Sequence, residues 1–436
     1  MTIDRYVGRY VVTMDEHFTV HAPGYVDVVD GMVAAVGPSE GAPRLGPAGM
    51  EHRLGGILMP GLINGHAHSA MTVLRGAGEG LPLDRWLSEV IWPREARLEP
   101  EDAAAGMVLG AVEMLLAGVT TTNEMYFFPE AVASGAAAAG IRAIVSAAII
   151  EAPGVERFGT PERVIDEALR LRSAHAGDDL VEIGLGPHSA YALGDGALRE
   201  IGRTAVDEEM PLHIHLEETR TEGDAVVERT GRRVTAHLAD LGVFDARASA
   251  AHCVWVDGDD IAVLAAHGVG VIHCPGSNGK LASGIAPVGA LRAAGIPVGA
   301  ATDGPASNND LDVLDEARLA VLYARLRQSD ASVLGVEDAL RMVTSEAAAA
   351  LGRDDIGALV PGRRADMIRI SLDPVSAEPI LEPGDAATHL IWSASGRDVT
   401  DVWVGGRRVV RGGEVLTVDA ADARRRVREI ARRISS

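Results

Sequence analysis

Residues 57–68 read Ile-Leu-Met-Pro-Gly-Leu-Ile-Asn-Gly-His-Ala-His, an apolar run from Ile57 to Ile63 that ends in two histidines, His66 and His68. An extended segment sends alternate side chains to one face, so both imidazoles can reach a single point at the end of a strand. Two neutral imidazoles converging there suit a divalent metal such as zinc. The rhythm of this stretch then recurs. Short apolar runs lie at 57–63, 119–124, 142–150, 181–187, 211–216, 249–253, 270–274 and 297–302. Helical candidates intervene, including 101–117, 161–175, 258–267 and 312–327. Eight strand-then-helix units predict an α/β fold, a (β/α)8 TIM-like barrel.

The two ends of the chain read differently. Tyr6–Val12, Tyr25–Val29 and Met32–Val36 alternate apolar and polar residues between Gly/Pro turns, and Met367–Ser371, Val399–Val404 and Arg407–Val410 repeat that pattern. Short strands of this kind predict a small β-sandwich domain formed from both termini, 1–56 with 360–436, around a barrel spanning 57–359. A charged helix over about 419–434 is expected on the surface.

Composition narrows the function. The chain has 436 residues, 47% of them hydrophobic, and a formal charge of −22, with no basic cluster before the Arg-rich 423–433. Such a chain is repelled by phosphate backbones and anionic membrane surfaces, so neither nucleic acid nor a membrane is an expected partner. The apolar stretches 103–119 and 131–150 carry Glu113 and Arg142 and read as buried barrel elements. Cys253 and Cys274 are the only cysteines. They make no disulfide framework, and with no signal-peptide core at the N-terminus the expected location is cytoplasmic.

Barrel enzymes of this kind keep their chemistry at the C-terminal ends of the strands. His66 and His68 end the first run and His188 follows the fourth; His213 and His215, with Glu218, end the fifth, His252 ends the sixth, and Asp303 follows the eighth. His66, His68, His215 and Asp303 offer three nitrogens and one oxygen, a shell for one catalytic metal with a water position open. Zinc fits first, and Fe2+ or Mn2+ also accept such ligands. Glu218 can shuttle a proton without binding the metal, and Asp303 can accept one from water. His252 reads as a partner of that water or of the substrate, with a buried core histidine as the plain alternative. His188 reads as a substrate contact. His213 is expected to be structural, pointing outward or into the adjacent layer, and Glu217 to be solvated. His273 is possible support for the site. The single lysine, Lys280, follows the seventh run, which excludes a two-metal site bridged by a carbamylated lysine on a middle strand.

These residues resemble the amidohydrolase superfamily, in its mononuclear branch of nucleoside and nucleobase deaminases, and most of all the 5′-methylthioadenosine/S-adenosylhomocysteine deaminases. The resemblance covers nearly the whole chain. It is carried by Pro60-Gly-Leu-Ile-Asn-Gly-His66-Ala-His68, Leu81-Pro-Leu-Asp-Arg-Trp86-Leu, Ile91-Trp-Pro, Gly186-Pro-His188-Ser, His213-Ile-His215-Leu-Glu-Glu218-Thr, Ala251-His252-Cys, Pro275-Gly-Ser-Asn278 and Thr302-Asp303-Gly-Pro-Ala-Ser-Asn308-Asn309. It implies that His66, His68, His215 and Asp303 hold the metal. Glu218 would protonate a ring nitrogen while Asp303 activates water, and His252 would steady the developing charge. His188 would contact the nucleoside and Trp86 would close over it. It also implies a homo-oligomer, dimer or tetramer.

The expected activity is hydrolytic deamination of an adenine nucleoside such as 5′-methylthioadenosine, adenosine or S-adenosylhomocysteine, giving the inosine analogue and ammonia. One departure bears on the substrate. Relatives acting on S-adenosylhomocysteine are expected to hold its carboxylate with arginines near the end of the third strand, where this chain reads Ser146-Ala-Ala-Ile-Ile-Glu151; Arg157 is the nearest base. Two alternatives stand beside this reading. One is an aminohydrolase or chlorohydrolase of another ring, such as an s-triazine, a pterin or a guanine-like base. The other is a catalytically silent binding relative, which would show broken ligands or lack the acid.

Overall fold

The structure is a computed structural model that describes residues 2–435. Its centre is a parallel sheet of β1 (Leu62–Ala67), β2 (Val119–Tyr126), β3 (Arg142–Ile149), β4 (Val181–Pro187), β5 (Pro211–Leu216), β6 (Arg247–His252), β7 (Gly270–His273) and β8 (Val298–Ala300), each hydrogen-bonded to the next in chain order. The ring closes where Ala67 bridges Asp303 in parallel and the Asp303 N–H donates to the His66 carbonyl at 3.1 Å. The expected (β/α)8 barrel is therefore present. Its strands are buried nearly throughout, as parallel strands covered by helices must be.

The run Ile57–Ile63 does not form one barrel strand. Ile57–Pro60 pairs with Met367–Ile370 and with Tyr10–Val12 in a seven-stranded sheet, and only from Leu62 does the chain enter the barrel. Pro60 has no N–H to continue a ladder, and the next amide, of Gly61, donates to the Asp366 carbonyl at 2.9 Å. Pro60-Gly61 is thus where the chain leaves one sheet for the other, which periodicity alone could not reveal. A second, four-stranded sheet is built from residues 4–53. Tyr6, Val26, Val28 and Val33 of that sheet pack against Val11, Leu58, Met367 and Trp403 of the seven-stranded one, face to face.

Helices cover the barrel. Those the site depends on are α1 (Pro100–Leu116), α2 (Arg220–Thr230), α3 (Pro275–Lys280) and α4 (Val313–Gln328). α1 begins at a capping box, with the Asp102 carboxylate accepting the Glu99 N–H at 2.8 Å and Pro100 at the first turn. It lies so close to the segment after His68 that a Cβ on Gly106 would stand 2.2 Å from the Ala70 carbonyl oxygen. The C-terminal helix α5 (Ala420–Ser435) lies at the surface, but its Ala423, Val427 and Ile434 are buried and it packs on α1. No described helix is long and apolar enough to cross a membrane.

One buried ion pair joins the barrel to the terminal sheets. Arg142 of β3 binds Asp366 through two hydrogen bonds of 2.9 and 3.0 Å, and both side chains are 2% exposed. Asp366 also accepts the Gly405 N–H at 2.5 Å. Removing one partner strands the other charge out of water, which costs about 3–5 kcal/mol. Asp366→Ala is therefore expected to lower the free energy of unfolding by that amount, measured by urea denaturation. A loss within experimental scatter would show that the pair is dispensable.

Candidate active site

The strand ends bring the nominated residues to one place. His66 and His68 lie on β1 and just past it, His188 follows β4, His215 lies on β5, Glu218 follows it, His252 ends β6, and Asp303 follows β8. Asp303 Oδ1 lies 3.2 Å from His66 Nε2 and 3.3 Å from His68 Nε2, and His68 Nε2 lies 3.3 Å from His215 Nε2. His66 Nε2 is buried and has no hydrogen-bond partner. Ring nitrogens aimed at one another and at a carboxylate oxygen fit a divalent cation. Nitrogens of His66, His215 and His252 also lie within 4.8 Å of one another, so His252 borders the same point.

Each candidate ligand is held from behind. His68 Nδ1 donates to the Met125 carbonyl at 2.5 Å and His215 Nδ1 to the His188 carbonyl at 2.8 Å. His66 Nδ1 shares a hydrogen bond with His213 Nε2 at 2.7 Å, and His213 Nδ1 shares one with Ser249 Oγ at 2.7 Å. The two carbonyls put the protons of His68 and His215 on Nδ1 and leave their Nε2 lone pairs free to bind, while His213 fixes the orientation of the His66 ring. Of the two directions expected for His213, outward or into the adjacent layer, the structure shows the second. Positions i and i+2 of a strand share a face, so His213 and His215 both point inward, His213 against the back of His66.

Asp303 Oδ2 accepts from Ser277 Oγ at 2.5 Å and Ser307 Oγ at 2.8 Å. Burial pushes its carboxyl up, but the contacts with His66 and His68 prevail and hold it well below the usual carboxylate range. Glu218 behaves in the opposite way. Burial, and then the charge of Asp303, push its carboxyl up to about 8. Its Oε1 accepts from Ser283 Oγ at 3.2 Å, and its Oε2 stands 3.7 Å from His252 Nε2. His252 Nδ1 accepts from the Asn278 side-chain amide at 3.0 Å, which leaves the ring proton on Nε2, facing the site. Burial lowers His252 to about 4 and His188 to about 3, so both rings are neutral near pH 7.

The pocket above this cluster is lined by His188, His252, Glu218 and Asp303 and by an apolar wall that includes Met71, Trp86, Leu87, Trp92 and Phe127. Trp86 opens a π-helical turn, Trp86–Ile91, and its Nε1 donates to the Ala77 carbonyl at 3.0 Å. No lysine or arginine is among the lining residues. Arg157 donates instead to the Ala96 carbonyl at 2.6 Å and to Glu99 at 3.1 Å.

Two buried glutamates stand outside the reading of the sequence. Glu217 is buried rather than solvated, and burial lifts its carboxyl to about 7. Glu95 was not singled out at all. It lies buried in the pocket wall beside Tyr126, with its carboxyl pushed up to about 7 by burial. Only its place just after Ile91-Trp-Pro could have drawn attention to it. His273 has both ring nitrogens buried without a partner, and its ring bonds no residue of the cluster.

Comparison with known proteins gives a consistent picture. The model of the amidohydrolase family matches residues 57–409. The chain is 38% identical over 434 residues to a 5-methylthioadenosine/S-adenosylhomocysteine deaminase of Pelotomaculum thermopropionicum, covering 98% of each chain. It is 39% identical over 367 residues to a 5′-deoxyadenosine deaminase of Methanothermobacter thermautotrophicus, covering 84% of each. Among solved structures it resembles an adenosine deaminase from Xanthomonas campestris with bound zinc, at a TM-score of 0.94 and 35% identity, covering 99% of this chain and 98% of that one.

The bond from His66 to His213 makes a testable claim. Loss of a residue that orients a ligand typically costs 10–100-fold in metal affinity. His213→Ala is expected to weaken zinc binding by about that factor, measured by competition with a chelator. Unchanged affinity would show that His66 is oriented without it.

Proposed function

The chain belongs to the amidohydrolase family, and on that premise we propose that it is a metal-dependent hydrolytic deaminase of an adenine nucleoside. The observation that carries this reading is geometric: the buried Glu218 carboxyl, 3.7 Å from His252 Nε2, faces Asp303, whose Oδ1 lies 3.2 Å from His66 Nε2 and 3.3 Å from His68 Nε2. Two carboxyls whose environments push their pKa values apart divide into acid and base.

His66, His68, His215 and Asp303 would hold one divalent metal, zinc being the best match to three imidazoles and a carboxylate. Such a metal supplies the Lewis acidity that makes water a nucleophile near neutral pH. Asp303 accepts the proton of the attacking water. Glu218 gives its proton to the ring nitrogen beside the amine-bearing carbon, which draws electrons out of that carbon as the water oxygen bonds to it. His252 donates its Nε2–H to the oxygen as charge develops. Asp303 then hands its proton to the amine, the C–N bond breaks and ammonia leaves, while the hydroxyl gives its proton back to Glu218 as the carbonyl of the product forms.

The walls of the pocket support a nucleoside over a bare ring. Trp86 and Trp92 offer flat apolar surface, and His188 offers a polar edge. Glu95 puts a hydrogen-bonding carboxyl into an otherwise apolar wall, which suits the hydroxyls of a ribose. The same wall has no cation for a substrate carboxylate, so the 5′ substituent is read as uncharged: adenosine, 5′-deoxyadenosine or 5′-methylthioadenosine rather than S-adenosylhomocysteine.

Ammonia release by zinc-loaded protein tests this. Adenosine and 5′-methylthioadenosine are expected to be turned over with a higher kcat/KM than S-adenosylhomocysteine, and Glu218→Gln to lower kcat by about 10²–10⁴-fold. Turnover of a triazine or guanine but of no adenine nucleoside would overturn the reading. A second test is the pH profile. Glu218 must be protonated to act, so kcat/KM is expected to decline as pH rises through about 8, by about tenfold per pH unit. A rate that keeps rising through that range would remove Glu218 as the acid.

A further inference from the structure

Three glutamates follow β5, and the reaction as proposed uses only Glu218. Glu222 is also buried, at 5% exposure, although it sits in the first turn of α2 where a glutamate commonly faces water. Its Oε2 accepts the Glu218 backbone N–H at 2.9 Å, and its Oε1 is buried without a partner. The Glu222 N–H in turn reaches Thr219 Oγ1, the N-cap of α2, at 3.4 Å. In an ordinary capping box the carboxyl at this position returns to the N–H of the cap residue itself. Here it reaches one residue further back, to Glu218.

The backbone explains why. β5 ends at Leu216, and Glu217 then takes a left-handed conformation with φ of +48°, its carbonyl accepting the N–H groups of Val254 and Trp255 at 3.0 Å each. The turn lifts the Glu218 N–H out of the sheet ladder, and a buried N–H must find an acceptor. The Glu222 carboxyl is that acceptor.

We propose that Glu222 is a positioning residue for the reaction: by binding the Glu218 N–H it fixes the backbone from which the general acid reaches the substrate. The inference rests on the reading of Glu218 as that acid, but the hydrogen bond itself can be tested apart from it. Glu222 touches no reacting atom. Its effect is on where the Glu218 carboxyl stands, and a misplacement of about 1 Å is enough to cost on the order of 10²-fold.

The experiment compares Glu222→Ala, which removes the acceptor, with Glu222→Gln, which keeps a carbonyl in its place. Two quantities are read: hydrogen exchange at the Glu218 amide, and kcat and KM for adenosine at equal zinc content. In Glu222→Ala, exchange is expected to quicken by about tenfold or more and kcat to fall by about 10–100-fold, with KM little changed. Glu222→Gln is expected to stay within about threefold of the parent in both. Should the alanine variant fail to fold, Glu222→Met fills the space without an acceptor and takes its place. Thr219→Ala, which removes the helix cap alone, should lower thermal stability and leave kcat as it was. Unchanged exchange in Glu222→Ala, unchanged kcat, or a Glu222→Gln variant as impaired as Glu222→Ala would each overturn the proposal. If the parent turns over no adenine nucleoside, the deaminase reading fails, while the exchange data still decide whether Glu222 pins Glu218.

Discussion

Closure of the barrel between its first and last strands is the constraint on which the site depends. Asn64 of β1 binds Thr302 beyond β8 twice, accepting its N–H at 3.0 Å and donating to its Oγ1 at 2.7 Å. The Asp303 N–H then reaches the His66 carbonyl. Residues 238 positions apart are thereby held at hydrogen-bond distance, and Asp303 is delivered to the two histidines that β1 supplies. Asn64 is wholly buried, so each of these bonds replaces one that water would otherwise make. A slip of one residue at this seam would turn Asp303 to the other face, because the side-chain period of a strand is two.

Past the strand ends the backbone is held in conformations that it rarely takes by itself. Glu217, His252, Cys253 and Asp303 all have positive φ, at +48°, +72°, +48° and +62°, and none is a glycine. Each such residue costs on the order of 1–3 kcal/mol, and such strain persists only where the surroundings over-determine it. The surroundings are visible. The Glu217 carbonyl is bonded by Val254 and Trp255, and the Asp303 carboxylate by Ser277 and Ser307. α3 and α4 carry the outer supports. Asn278 of α3 holds His252, while Glu316 of α4 accepts the Gly276 N–H and the Asn308 side-chain amide at 2.8 Å each, tying α3 and the loop after Asp303 to one carboxyl.

The sequence carried the parts of this arrangement that are local. An apolar run ending in His66-Ala-His68 reads as a strand with two imidazoles on one face because both facts lie within a few residues. The count of strand-then-helix units reads as a barrel for the same reason. What failed was whatever depends on partners far along the chain. Ile57–Ile63 is uniformly apolar, so nothing within it shows that Ile57–Pro60 belongs to the terminal sheets; the pairing with Met367–Ile370 shows it. Glu217 reads as solvent-facing because charged residues after a strand commonly are, and only the folded loops around β5 and β6 bury it. Glu95 was invisible because a carboxyl gains its meaning from the pocket it enters. His213 is a different matter: strand periodicity places it beside His215, and its inward direction was open to reading from the two-residue spacing alone.

Burial explains how neighbouring carboxyls come to opposite states. Asp303 and Glu218 are both enclosed, and burial alone would neutralise each. Asp303 escapes because its Oδ2 accepts two hydroxyls, which favour the charged form, and its Oδ1 is placed with the two imidazoles where a cation would hold it ionised. Glu218 receives only the Ser283 hydroxyl and stands beside that same negative charge, so it keeps its proton. The charge of one thus adds to burial in keeping the proton on the other. Glu222 follows the same logic one step further out: burial raises its carboxyl to about 8, and a neutral carboxyl still accepts the Glu218 N–H through its carbonyl oxygen. A second full negative charge behind Glu218 would raise the acid further and weaken it as a donor near neutral pH. A neutral acceptor fixes the backbone of the acid without that penalty, which is the physical reason a buried glutamate can serve there.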